Sequence, residues 1–287
     1  MHIDPLRAVT SDRLALTGLA ILSVIVLMSV LAPVLTFFPP DYYTGQIFSP
    51  PSASHPLGTD SVGQDIWSRL LFGARTTLLV AASVAILSTS LSFLVGASSA
   101  LIGGLYESFW MRFVDAMSSI PPIIVMILVA AYIRPNLMVM ILLISILSWP
   151  GGARIIRSQV LSLKERGHVY ASRTFGASWG HILKSHIAPE LGPLLTAMMI
   201  RDASRAVFME AGMGFLGVSD PMIISWGKMM QQALEFTYLD VWKWWLLPTG
   251  LALSLTLVGL CFIGFSLEAA MDPRLMPRSV EGDGEKC

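Results

Sequence analysis

Charge is scarce in this chain. Only 13% of its 287 residues are charged and 54% are hydrophobic, whereas about a quarter of a soluble domain is charged, so an ordinary soluble fold is excluded. Lysine plus arginine (19) balance aspartate plus glutamate (19). With no net charge there is no basic field to draw nucleic acid, and none is expected as a partner. Cysteine is nearly absent. Cys261 stands in an apolar run and Cys287 ends the sequence, which makes neither a disulfide framework nor a metal-ligand spacing. The histidines are scattered, and His181 and His186 read as surface groups on a basic loop rather than as ligands. Nucleotide and catalytic signatures are missing too. Gly227-Lys228 is followed by Met229 rather than by the Ser or Thr of a P-loop, and no Gly-x-Ser-x-Gly or His-Glu-x-x-His occurs. The string Gly212-x-Gly214-x-x-Gly217 imitates a dinucleotide fingerprint, but an apolar run precedes it and Pro221 follows, where a βαβ unit is required. The chain is therefore expected to be no enzyme and to bind no metal or cofactor itself.

Apolar sequence is what abounds. The mean hydropathy is +0.67, and a membrane helix needs about 20 mostly apolar residues. Six stretches meet or approach that length: 14–38, 76–103, 116–133, 137–153, 191–210 and 244–267. No charge falls between Arg13 and Asp41, a run too long for a signal-peptide core, so the first stretch reads as a retained span. Pro121-Pro122 predicts a kink in the third. Arg134-Pro-Asn136 predicts a short turn before the fourth. Trp242, Trp244 and Trp245 suit an interfacial belt before the sixth. The expected class is an all-α integral membrane protein with six transmembrane helices.

The segment 154–190 is the polar exception. It carries Arg154, Arg157, Lys164, Arg166, Arg173 and Lys184 against Glu165 and Glu190, which marks it as cytoplasmic by the positive-inside bias. That orientation puts both termini inside with Arg7, Arg13, Arg112, Arg274, Arg278 and Lys286, and leaves Arg69, Arg75, Arg134, Lys228 and Lys243 outside. Within the loop, Val169, Ser172, Phe175, Trp179, Ile182 and Leu183 recur at helical spacing, predicting two short helices. Gly176 supplies the turn between them, and Pro189 suits the start of the next helix.

These residues resemble the EAA loop of ATP-binding-cassette importer permeases. Ala171 matches its first Ala, Ser172 stands at the second, Gly176 holds its Gly, and Ile187 and Pro189 close the motif. Tyr170 replaces the Glu, and Ala188 the usual Leu. Glu268-Ala-Ala270 repeats the letters without the required Gly. A second resemblance lies in 39–75, a turn-rich loop leading to a predicted interfacial helix with Ile66, Trp67, Leu70 and Leu71 on one face. His55-Pro-Leu-Gly-Thr-Asp60, Gly63-Gln-Asp65, Ser68-Arg69 and Gly73-x-Arg75 are similar to the signature of the dipeptide, oligopeptide and nickel importer permeases, with Gln64 in place of an Arg. Glu210, Gly214-Phe-Leu-Gly217, Pro221 and Ser225-Trp-Gly227, and the ending Asp272-Pro-Arg274, resemble the same subfamily.

The resemblance implies the type I importer permease fold in the cytoplasmic (inner) membrane of a prokaryote. Its layout is a cytoplasmic 1–13, a first span 14–38, the outer loop 39–75, a five-helix core 76–270 and a tail 271–287; within the core lie the coupling loop 154–190 and the outer segment 211–243. It also implies a second homologous permease, two ATPase subunits that carry ATP and Mg, an extracytoplasmic solute-binding protein, membrane lipid around the spans, and alternating access. Peptides, nickel or its chelates, and opines are all substrates of this permease type. Tyr170, Ala171, Ser172, Gly176, Ile187 and Pro189 would form the ATPase-coupling element, the alternative being an amphipathic cytoplasmic loop lying on the membrane, and Gly212, Gly214, Phe215, Leu216 and Gly217 an outer gate or a plain turn. A secondary transporter and a non-transport scaffold are the rival classes.

One feature departs from that pattern: Arg201, Asp202 and Arg205 lie near the middle of the fifth stretch. A charge at the centre of a membrane helix costs about 2.5–3.5 kcal/mol on insertion scales, so such residues face a partner or a water-filled cavity. With Glu210 they are candidates for the translocation path. The alternative is a structural ion pair with Asp202 or with a partner subunit.

Overall fold

The computed structural model describes residues 12–133 and 135–271; Arg7, Arg134, Arg274, Arg278, Lys286, Cys287 and the Asp272-Pro-Arg274 ending lie outside them. The regular structure among the described residues is helical, with one isolated bridge between Thr59 and Asp65 and no strand.

Helix α1 (Arg13–Val30) starts where the Asp12 carboxylate accepts the Leu14 amide at 3.0 Å, and a single turn, α2 (Ala32–Leu35), follows. Helix α3 (Ile66–Ile102) begins on the Asp65 carboxylate, which accepts the Ser68 amide at 2.8 Å, and ends at Gly103 with φ 73°. Its 37 residues make it about 55 Å long at 1.5 Å per residue. The expected interfacial helix and second span are thus one element. Ile66, Leu70 and Leu71 lie buried in protein rather than at a membrane surface, because Trp226, Met229 and Trp245 pack over Ile66 and Leu70.

The expected third span, 116–133, takes in only the end of α4 (Gly104–Ser118) and all of α5 (Pro122–Tyr132), and these two helices form a bent pair meeting at 75°. Pro122 stands in the first turn of α5, where its missing amide hydrogen is not needed. Helix α6 (Leu137–Lys164) starts on Asn136, whose side chain accepts the Val139 amide, and runs well past the expected end at 153. Then come α7 (Gly167–Thr174), α8 (Trp179–Ile182), a π turn (Leu183–Ile187) and α9 (Ala188–Phe215). Helix α10 (Trp226–Leu234), a 3₁₀ turn (Asp240–Lys243) and α11 (Leu246–Met271) complete the order.

By length and composition four helices are fit to cross a membrane: α1, α3, α6 and α11 with its preceding turn. The bent pair makes a fifth. Helix α9, the expected fifth span, has the length with 28 residues, but its charges keep it out of that count.

Small residues set how closely the helices approach, the usual device where lipid supplies no hydrophobic drive. A Cβ on Gly96 of α3 would stand 2.5 Å from the Ala153 carbonyl of α6, and one on Gly152 would overlap the Ser92 hydroxyl. Likewise Gly18 of α1 meets Gly259 of α11, where a Cβ on Gly18 would stand 2.6 Å from the Gly259 carbonyl. The tryptophan belt is only partly present. Trp242 remains exposed, but Trp245 is buried and stacks on Phe236 with ring centroids 6.3 Å apart. Trp244 lies over Gly58, so these rings fill the joint between the 39–65 loop and α10.

Candidate functional site: the elbow and the charged helix face

The elbow, formed by α7, α8 and the π turn (167–187), is built on the end of α6. Arg154 donates to Asp115 at 2.9 Å and Arg157 to Glu107 at 2.6 Å, both on α4, while the Lys164 ammonium donates to the Ala100 carbonyl of α3 at 2.8 Å. Three of the loop's basic residues therefore tie helices together, and the loop proper is shorter than the expected 154–190. Two short helices follow as expected, and Gly176 turns the chain between them with φ 86°. Val169, Ile182 and Ile187 are buried against Ala97, Ile156, Val160, Leu163 and Leu191. Trp179 is held between two cations, Arg173 at 4.7 Å and Lys164 at 5.0 Å from its ring centre. Glu190 pairs with Arg166 and, at 3.0 Å, with His168. His186 lies 3.2 Å from the Ser172 hydroxyl, and its ring centre is 5.8 Å from that of His168 and 6.3 Å from that of His181. No group of three metal-competent side chains forms among the described residues.

The opposite side of the elbow is bare. Tyr170 is 72% exposed and Phe175 90%, and Ala171, Thr174 and Gly176 are exposed beside them. Residues 170, 171, 174 and 175 fall on one helical stripe. The motif residues are thus divided: Tyr170, Ala171 and Gly176 are presented outward with Pro189, Ser172 is half-buried, and Ile187 belongs to the core that backs them. His168 and Glu190 were not legible as a latch, because their partners lie on different helices.

Helix α9 carries the charged residues, and they are not brought together as one group. Asp202 is 1% exposed and accepts the Ser88 hydroxyl of α3 at 2.8 Å. Glu210, equally buried, accepts the Thr77 hydroxyl of α3 at 3.0 Å. Arg201 and Arg205 lie toward the other side, Arg201 half-buried and Arg205 exposed. The Arg201 Nε stands 3.8 Å from Asp202, too far for a hydrogen bond. Positions 201, 205, 208, 212 and 215 recur at helical spacing and are open or half-open, so two arginines share a face with Phe208, Gly212 and Phe215. Thr77 and Ser88 were missed. Their only signal is that Thr77, Ser88, Ser92 and Ser99 recur along one side of an otherwise apolar helix.

Past Phe215 the chain turns at Gly217, φ 71°, and returns as α10 against α9. A Cβ on Gly214 would stand 2.8 Å from the Lys228 amide, and one on Gly227 would overlap the Ala211 backbone. Leu216 and Phe215 stay exposed beside this crossing. At the same end, Asp60 accepts Arg69 at 2.6 Å and the amides of Val62 and Gln64, while His55 bonds Asp65 at 2.9 Å. Gln64, in the place of the Arg in the similar signature, accepts from Arg69, which also reaches Gln232 of α10 at 3.2 Å. Burial, and secondarily the Arg69 charge, hold the Lys228 ammonium below its ordinary value; it donates to the Pro221 carbonyl.

Comparison with known proteins places this architecture. Residues 91–277 match the family of the binding-protein-dependent transport system inner membrane component, and residues 6–51 that of the N-terminal TM domain of oligopeptide transport permease C. The chain is 38% identical to a protein of Brucella suis biovar 1, provisionally named a peptide permease, over 92% of this chain and 88% of that one. It is 32% identical to the oligopeptide transport system permease protein OppC of Bacillus subtilis, over 95% of this chain and 89% of that one. The chain belongs to the binding-protein-dependent transport system inner membrane component family, and is a multi-pass membrane permease.

Proposed function

We propose, from that membership as premise, that the chain is one permease subunit of an ATP-driven importer of peptides. The names of its relatives favour peptides over nickel, chelates or opines, which the sequence resemblance also admits. In this reading six segments cross the membrane: α1, α3, the α4–α5 pair, α6, α9 and α11. Both termini and the elbow lie in the cytoplasm. A second permease completes the pathway, a solute-binding protein delivers cargo from outside, and two ATPase subunits carry ATP and Mg, which this chain does not bind. Closure of the ATPases pushes the elbow and rocks the spans by alternating access. The open face of α9 lines the path, and the turn at Gly212, Gly214, Phe215, Leu216 and Gly217 closes its outer end. Asp202 and Glu210 act from behind that face, as polar ties to α3. The rival classes, a secondary transporter and a membrane scaffold, draw no support from a binding-protein-dependent family.

One observation carries the coupling role: the elbow is backed by a packed core yet presents Tyr170 and Phe175 almost bare. Aromatic side chains on a rigid support, surrounded by small residues, are the anatomy of a docking anchor. An anchor worth about 2 kcal/mol or more on truncation corresponds to well over a ten-fold loss of binding. In the transporter reconstituted with its ATPases, Tyr170→Ala with Phe175→Ala is expected to cut peptide uptake and ATPase retention at least that far without changing the permease's melting temperature. Uptake at the unmodified rate would overturn the reading.

A further inference from the structure

We infer that Arg201 and Arg205 form a transient receptor for a carboxylate on the passing solute, the C-terminal carboxylate where that solute is a peptide. The inference rests on the path reading above, and three observations lead to it. The two guanidinium groups are four residues apart near the middle of the 28-residue α9, one above the other on one side. The neighbouring acid neutralises them only in part: Asp202 is buried, engaged by Ser88, and 3.8 Å from Arg201 at its nearest. Among the described residues Arg205 has no acid within ion-pair distance. The side they share is also the one that this chain leaves open or half-open.

A guanidinium stays charged at any physiological pH, so this side cannot rest against hydrocarbon and must meet water or an anionic group. Two planar forks in a row match a carboxylate, which accepts two parallel N–H bonds from one arginine, and they repel an ammonium. Charge complementarity therefore selects the acidic end of a zwitterionic cargo. The partial compensation of Arg201 by Asp202 keeps the attraction short of a trap, as a transport site requires. The competing occupant is an acidic side chain of the second permease, and the two make different predictions.

The test uses the assembled transporter without its solute-binding protein, so that the latter's selectivity does not enter. Phe208→Cys, one turn from Arg205, in a chain carrying Cys261→Ser and Cys287→Ser, serves as a reporter for a water-soluble maleimide. Acetyl-trialanine, an anion, and trialanine amide, a cation, serve as probes. The expected result is that the cysteine is labelled, and that the anion alone slows labelling by a factor of 1 + [L]/Kd, about three-fold at twice its Kd. Arg201→Gln with Arg205→Gln abolishes that protection; Arg205→Lys, which keeps the charge and guards against a folding artefact, retains part of it. An unlabelled cysteine overturns the path reading and the inference with it. A labelled cysteine protected equally by both probes, by neither, or equally in the double Gln variant overturns the carboxylate receptor alone and assigns the arginines to the partner subunit.

Discussion

At the scale of single residues, the helix crossings are decided by the space for one methyl group. Gly227 has the Ala211 backbone where a Cβ would sit, and Gly96 has the Ala153 carbonyl at 2.5 Å, whereas the nearest neighbour of a Cβ on Gly212 is the tip of Ile123 at 3.9 Å. Backbone cannot rotate away as a side chain can, so Gly227→Ala and Gly96→Ala force two helices apart. Overpacking of this kind costs about 1–3 kcal/mol, and each variant is expected to melt at lower temperature in detergent. Gly212→Ala should melt like the parent, although it lies in the same candidate gate as Gly214. Equal melting of all three would mean that the crossings have slack. The buried carboxylates follow the same logic in polar form: Asp202 and Glu210 persist in an apolar setting because α3 sets a hydroxyl against each one.

At the scale of the element, the elbow has two kinds of support, and their magnitudes separate them. The Glu190 pairs with Arg166 and His168 are conspicuous, but Arg166 and His168 are about half exposed, and ion pairs of that kind contribute about 0–1 kcal/mol. Ile182 is wholly buried in the core beneath, where Ile→Ala costs about 2–5 kcal/mol. Limited proteolysis of the elbow should therefore accelerate strongly in Ile182→Ala and little in Glu190→Gln; the reverse order would show that the latch, not the core, holds the elbow. How much of this element was legible follows from where the chain is punctuated. Gly176 and the Pro121-Pro122 pair announce a turn and a bend, and both appear. The ends of α3 and α6 were misjudged for the same reason, a charge taken as a boundary. No breaker separates Arg75 from Thr76; the charge suggested a boundary, but the Arg75 guanidinium reaches the Ser29 and Val30 carbonyls of α1 and the helix runs on. Arg154, the first of the basic residues, set the expected end at 153, yet α6 continues through Pro150-Gly-Gly152 to Lys164, with Gly152 letting Ser92 and Met198 approach. The motif positions could be read along the chain. The partners of Asp202 and Glu210 could not, since each lies more than a hundred residues away.

At the scale of the whole molecule, α9 is the rod that joins the two ends. Its first turns enter the elbow core through Leu191 and Met198, and its last turns lock against α10 at Ala211 and Gly214. For a push at the elbow to move the far end, that far end must hold together, and Arg69 joins several of its parts. This side chain is almost wholly buried and joins Asp60 of the loop, Gln64 beside it, and Gln232 of α10 to the first turn of α3. Removing one partner of a buried pair leaves an uncompensated charge and costs about 3–5 kcal/mol, while replacing both can be nearly neutral. Arg69→Met is accordingly expected to lower the melting temperature more than the glycine substitutions do and to reduce uptake with it. Adding Asp60→Asn removes the stranded carboxylate, so the double variant should recover much of the stability. Its uptake should recover less, because neither Met nor Asn reaches Gln232 to tie α10 to the loop. If stability and uptake returned together, the network would matter only for folding; if Arg69→Met melted like the parent, the outer end would not be locked by this residue, and the rod would have nothing firm to work against.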